Sequence, residues 1–226
     1  TAALIAGTLA LLDRRPIAAG ILLGLLTVKP QLGIAFPLIL ILTGRWRVFI
    51  AAALTAVILA LAAYLVFGAE TWSAFLDAIQ HQAGAVLDRG EVAFRKQQTV
   101  HALMRLFGSS DATAWGVHIA VALAALGFTA WLWIRPVDDR LKKAALAMTA
   151  LLATPYLYTY DLVVLAVPLA FLFRLGRARG FLDYEMAGIG LASLLVLIFP
   201  FVKWPVGFAA VAVVAALIAR GALSPT

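Results

Sequence analysis

Residues 17–42, IAAGILLGLLTVKPQLGIAFPLILIL, form an apolar stretch interrupted once, at Val28-Lys29-Pro30-Gln31. Hydrocarbon satisfies neither a charge nor a free backbone amide. Such an interruption survives at membrane depth only where protein or a water-filled cavity surrounds it. A second interruption of the same kind is Thr154-Pro155-Tyr156-Leu157-Tyr158-Thr159-Tyr160-Asp161. These two breaks are the strongest pointers to a site, and their meaning depends on how the chain threads a bilayer.

That the chain meets a bilayer follows from composition. It is 64% hydrophobic and 13% charged, with a mean hydropathy of +1.01, more apolar surface than a soluble domain of 226 residues has interior to hold. The expectation is an all-α integral membrane protein. The net charge of +7 does not point to nucleic acid, because the basic residues sit in short clusters between apolar runs, as cytoplasmic loops do. With no cysteine, disulfides, thiolate metal sites and cysteine nucleophiles are excluded. The first apolar run, residues 2–12, is about half of the ~20 residues a spanning helix needs. The chain is therefore expected to be the C-terminal part of a longer one, forming a single membrane domain over residues 1–226.

Three runs are long enough to span: residues 48–67, 112–134 and 185–199. A fourth, residues 206–219, follows after a Lys203-Trp204-Pro205 turn. Simple alternation puts Arg45/Arg47, Arg135/Arg140/Lys142/Lys143, Arg174/Arg177/Arg179 and Arg220 on one side, which the positive-inside bias makes cytoplasmic. Residues 68–111, with five acidic and four basic side chains, then form a nearly neutral extracytoplasmic segment.

The same bookkeeping decides the first break. Arg14/Arg15 and Arg45/Arg47 flank it, and a single crossing would place them on opposite sides. A hairpin keeps both inside, with Lys29-Pro30-Gln31 at its outer vertex. Arms of ~12 residues cover about 18 Å of a ~30 Å hydrocarbon layer, so the vertex is recessed. The second break repeats the design between Lys142/Lys143 and Arg174/Arg177/Arg179. The rival threading is one long tilted helix kinked at Pro30.

Within the outer segment, residues 70–79 place Trp72, Phe75 and Leu76 at helical spacing, the pattern of an interfacial amphipathic helix. Residues 99–107 are a second such helix, and residues 87–98 between them are polar and basic. Two readings stand for Lys29 and Asp161: they pair and hold the hairpins together, or Lys29 binds an anionic headgroup while Asp161 orients a sugar hydroxyl or a neighbouring tyrosine. Tyr156, Tyr158 and Tyr160 read either as an interfacial belt or as a stacking surface for a sugar ring. Arg89, Arg95 and Lys96 are solvated loop charges or a lure for phosphate. His81, His101 and His118 lack ligand spacing, so neither a metal site nor a cofactor is expected. No Walker motif or nucleophile elbow is present.

Val28-Lys29-Pro30-Gln31 after a Gly-Leu-Leu helix, Gly44-Arg45-Trp46-Arg47 at the next turn, Gln97-Gln98-Thr99-Val100 before a short helix, and Thr154-Pro155 followed by aromatics and Asp161 occur in this order. Together they resemble glycosyltransferase family 87, the bacterial polyprenyl-phosphate-mannose-dependent mannosyltransferase-like proteins, and the resemblance covers essentially the whole chain. It implies a GT-C-type multi-pass helical bundle in the bacterial plasma membrane with its active site facing outside. It also implies transfer of a hexose, typically mannose, from a polyprenyl-phosphate donor to a lipid or glycan acceptor. The family's catalytic carboxylate lies in a first outer loop without a counterpart here, and Tyr160-Asp161 stands where related mannosyltransferases carry a His pair. No catalytic residue is therefore assigned. The expected substrate-binding set is Lys29, Gln31, Arg95, Lys96, Gln98, Thr99, Tyr156, Tyr158, Tyr160 and Asp161. A transporter or flippase, whose broken helices also carry polar groups, and a non-catalytic lipid-binding subunit are the alternatives.

Overall fold

The computed structural model describes residues 1–83, 94–202 and 205–224, with side chains at all of these except 80–83, 95 and 200. It is an all-α membrane protein. Among the described residues the α-helices are α1 Ala2–Leu11, α2 Pro16–Leu25, α3 Ala35–Leu42, α4 Trp46–Ala83, α5 Val100–Leu106, α6 Asp111–Trp133, α7 Asp139–Ala153, α8 Ala166–Arg179, α9 Glu185–Ile198 and α10 Val206–Leu223. Among the described residues four stretches are long and apolar enough to cross a membrane: Trp46–Ile79, Asp111–Trp133, Thr159–Arg179 and Val206–Leu223. Residues 185–199, expected to span, contain α9, which at 14 residues is shorter than these four.

The helix ends follow local chemistry. Ser110 caps α6 by accepting from the Thr113 N–H at 3.2 Å, and Asp138 caps α7 by accepting from the Arg140 N–H at 2.8 Å, each satisfying a donor with no partner inside the helix. Pro16 opens α2, where its missing N–H costs nothing. Proline also makes the breaks. The residue before a proline is pushed out of the helical region. Lys29, ahead of Pro30, sits at φ −142, ψ 72, and Thr154, ahead of Pro155, ends α7 at φ −83, ψ 131.

The first break is a hairpin vertex. A Cβ on Gly20 would lie 2.6 Å from the Val48 carbonyl oxygen, and one on Gly24 would lie 2.7 Å from that of Ala52. Small residues thus let α2 and α4 touch backbone to backbone, and the rising order of the pairs shows that the two helices run parallel. The chain therefore turns back through α3 between them. Arg45, at the end of α3, reaches Asp13 at the start of α2 with a 2.6 Å hydrogen bond. Both arms end on the same side, and the single tilted helix is excluded.

Asp13 gathers that side together. Lys143 at the start of α7 donates to its other oxygen at 2.8 Å, and the Arg45 guanidinium also lies 5.1 Å from the Trp133 ring centroid. Partial burial raises the Asp13 pKa, but hydrogen bonds from Lys143 and Arg45 outweigh it and hold the carboxyl below its ordinary value. Arg140 donates to the Arg174 carbonyl at 3.3 Å, and Arg179 pairs with the buried Glu185 at 3.0 Å. Arg220 donates to the Asp183 carbonyl. These ties bring the ends of α3, α6 and α8 together with the start of α7, as the charge pattern requires, and the ties of Arg179 and Arg220 join the ends of α8 and α10 at the start of α9.

The core lies between α1, α3, α7, α8 and α10, around Ile5, Leu9, Phe36, Ile39, Leu146, Leu151 and Leu172. A buried Thr129–Thr149 hydroxyl bond of 2.7 Å joins α6 to α7. Outside, α4 exposes Leu54, Val57, Ile58, Leu61 and Leu65, a surface suited to acyl chains and not to water. The helix expected over residues 70–79 continues from α4 across Gly68, which breaks the helical geometry at φ 80, ψ 173. Only glycine adopts such a conformation readily.

Candidate functional site: the junction of the two vertices

The two proline breaks meet. Lys29, at the tip of the first vertex, donates from Nζ to Asp161 Oδ1 in the second. The partners lie 132 residues apart in sequence, and the pair bridges elements that share no local register. Asp161 is 2% exposed and Lys29 24%, so the acid is enclosed and the ammonium keeps one face open.

The second vertex is built to present that acid. Thr154 is buried, and its hydroxyl accepts from the Tyr156 N–H at 3.1 Å, closing a local turn just after the helix end. A 3-10 turn, Thr159–Leu165, follows with Tyr158 at its N-cap. Asp161 Oδ2 accepts from the Tyr158 N–H at 3.2 Å, while the Asp161 N–H donates to the Tyr158 carbonyl at 2.9 Å. One carboxylate oxygen thus caps the turn and the other holds Lys29. The tyrosine rings sit on the same feature: Tyr158 and Tyr160 stack with centroids 5.7 Å apart and an interplanar angle of 18°. Lys29 Nζ lies 4.2 Å from the Tyr160 centroid, and Tyr160 is 64% exposed. The result is a neutralised ion pair with a cation on an open aromatic face. An ammonium has three donors, and with one committed to Asp161 it can still offer a hydrogen bond to an anionic oxygen.

Behind this vertex stands the segment of residues 94–99. Gln97 and Tyr158 form an isolated antiparallel bridge. The Gln98 N–H donates to the Leu157 carbonyl at 2.7 Å, and Gln98 Oε1 accepts from the Phe208 N–H of α10 at 3.0 Å. Thr99 caps α5, its hydroxyl accepting from the Ala102 N–H at 3.1 Å. The helix expected over residues 99–107 is therefore present as α5 with its cap.

Of the expected substrate-binding set, Lys29, Tyr158, Tyr160 and Asp161 form one cluster. Gln98 and Thr99 are buried behind it. Gln31 is half-buried on the first vertex, Tyr156 is half-buried on the second, and Lys96 is exposed on the outer segment. The Arg95 and His81 side chains, Arg89 and the Lys203-Trp204 part of the last turn lie outside what is described. Among the described residues no group of three or more His, Asp or Glu could hold a metal ion.

Some of the polar framework has no signature in the sequence. His101 is fully buried, with Nε2 3.0 Å from Asp111 Oδ1, and its ring lies 4.8 Å from that of Trp115. This pair straps α5 to α6. A His and an Asp ten residues apart across a turn carry no motif that announces such a pair. The contacts of Leu157 and Phe208 are backbone contacts, which no side-chain motif announces.

The family model for glycosyltransferase family 87 matches residues 1–155. The match takes in the first vertex, the outer segment and α7 as far as the proline of the second break, and it stops short of Tyr158, Tyr160 and Asp161. None of the curated proteins and none of the solved structures compared matches the chain.

Proposed function

Since the chain belongs to glycosyltransferase family 87, we propose that this membrane glycosyltransferase moves a hexose, mannose first among candidates, from a polyprenyl-phosphate donor to a lipid or glycan acceptor. The observation that carries the proposal is the Lys29–Asp161 junction with the stacked tyrosines beside it. A glycosyl donor of this class has a phosphodiester next to a sugar ring next to a long apolar tail. The junction offers the matching series: an ammonium with a free face, an exposed aromatic plate, and lipid-facing helices around it.

In the proposed step the acceptor oxygen attacks the anomeric carbon, the bond from that carbon to the phosphate oxygen breaks, and polyprenyl phosphate departs with the bonding electron pair. Lys29 stabilises the charge that builds on the departing phosphate, with Arg95 or Lys96 as second cations. Tyr158 and Tyr160 hold the ring, and Gln31 and Tyr156 add polar groups from the two vertices. The acceptor proton goes to a base, which we do not place at Asp161, because that acid is 2% exposed and its charge is committed to Lys29. The vertices face the extracytoplasmic side of a GT-C-type fold, and the basic end faces the cytoplasm of a bacterial inner membrane.

The test is a transfer assay on membranes carrying the protein, with radiolabelled hexose on polyprenyl phosphate, run beside an uptake assay in sealed vesicles. Label in a lipid or glycan product supports the proposal. Label accumulating in the vesicle lumen without a glycosylated product refutes it in favour of transport.

A further inference from the structure

We infer that Gln98 is a positioning residue: it pins the second vertex to α10 and so sets where Tyr158, Tyr160 and Asp161 stand, without touching substrate. The kinetic part of the inference rests on the transferase proposal, and the geometric part does not. Gln98 is 1% exposed, and its two ends grip different elements. Its N–H donates to the Leu157 carbonyl at 2.7 Å, one residue before the Tyr158 backbone that Asp161 caps. Its side-chain oxygen accepts from the Phe208 N–H at 3.0 Å.

That second bond reinforces a helix start. The Phe208 N–H also donates to the Pro205 carbonyl at 3.0 Å, and Pro205, the N-cap of α10, has no side-chain group to add to it. Gln98 supplies a second acceptor, shared with that carbonyl, from 110 residues away. Gly207 sits in the same contact: a Cβ there would lie 2.4 Å from Leu162 Cδ1 of the second vertex and 2.6 Å from Gln98 Oε1. The glycine leaves room for both side chains. With Gln97 bridged to Tyr158 and α10 packed on the Thr159–Leu165 turn, Gln98 closes the third side of the contact by tying the 97–99 segment to α10.

The chain has no cysteine, so site-directed spin labels report cleanly. Labels at Val28→Cys on the first vertex and Val163→Cys on the second, both exposed positions, measure the distance between vertices in the full chain in nanodiscs. Gln98→Leu keeps the bulk and removes the acceptor, and Gln98→Glu keeps an acceptor. We expect a single narrow distance distribution for the parent and for Gln98→Glu, and a broadened or shifted one for Gln98→Leu. Displacements of about 1 Å cost up to 100-fold in rate. Transfer by Gln98→Leu should accordingly fall about 10- to 100-fold in kcat per folded molecule, with rescue in Gln98→Glu. An unchanged distance distribution in Gln98→Leu overturns the inference, as does a loss of transfer no larger than the loss of folded protein. A parent protein that transfers no hexose would count against the proposed function alone, and the distance measurement would still decide the role of Gln98.

Discussion

The Lys29–Asp161 pair separates stability from activity in a way that can be measured. Lys29→Met leaves Asp161, 2% exposed, without its counter-ion. Removing one partner of a buried pair costs about 3–5 kcal/mol, and because Lys29 is 24% exposed the lower end, about 3 kcal/mol, is expected. Asp161→Asn is milder. The carboxamide oxygen still accepts from Lys29 or from the Tyr158 N–H, and the ammonium keeps its open face, so the loss is about 1–2 kcal/mol. In the double variant Lys29→Met/Asp161→Leu no charge is stranded. It should be more stable than Lys29→Met alone, short of the parent by about 1 kcal/mol for the lost cap on the 3-10 turn. Transfer ranks the variants differently. A preorganised donor on developing charge contributes about 3–4 kcal/mol, or 100- to 1,000-fold, so both variants lacking Lys29 should lose that factor while Asp161→Asn keeps most of its turnover. Thermal unfolding in detergent, paired with transfer measured per folded molecule, gives both rankings. A stable double variant that transfers hexose at the parent rate would refute the role of Lys29, and a double variant less stable than Lys29→Met would refute the pairing energetics.

Two further outcomes follow from the framework. Gly20→Val should destabilise the protein by about 1–3 kcal/mol, because its side chain would be driven into the Val48 carbonyl where α2 meets α4; a melting temperature equal to the parent's would show that this close approach is not required. Asp13 is held below the ordinary carboxylate range, so its contribution is complete above about pH 4 and disappears as the pH falls through its lowered value. Its side chain is 40% exposed, so screening limits the effect to about 1 kcal/mol. Asp13→Asn should lower stability near neutrality and remove part of the acid-induced loss, which parallel pH–stability curves would check.

Much of the threading was legible because it depends on chemistry local to each segment. Prolines at 30 and 155 expel their predecessors from the helix wherever the chain goes, and clusters at Arg45, Lys143 and Arg174 mark one side of a bilayer without reference to packing. The helix over residues 99–107 was likewise readable, whereas the capping role of Thr99 came only with the structure. What the pattern left open was whether Lys29 and Asp161 meet. Two hairpins with recessed tips are compatible with many arrangements, and nothing local links residues 132 apart.

The inner role of Gln98 was hidden for a related reason. As a sequence symbol it is a polar residue near an aromatic break, which suits a sugar pocket as well as a clamp. Its burial and its bond to α10 arise only when the outer segment folds back on the bundle. Asp13 was hidden too, since an acid beside two arginines reads as loop charge until α7 brings Lys143 to it. The sequence by itself determined an all-α membrane protein with two proline-broken hairpins whose charged ends share one side. Apolar length, proline sterics and charge asymmetry act through neighbours along the chain. Only the tertiary structure decided that the tips close on each other through Lys29 and Asp161, because ion pairs and backbone-to-backbone contacts are selected by packing in space.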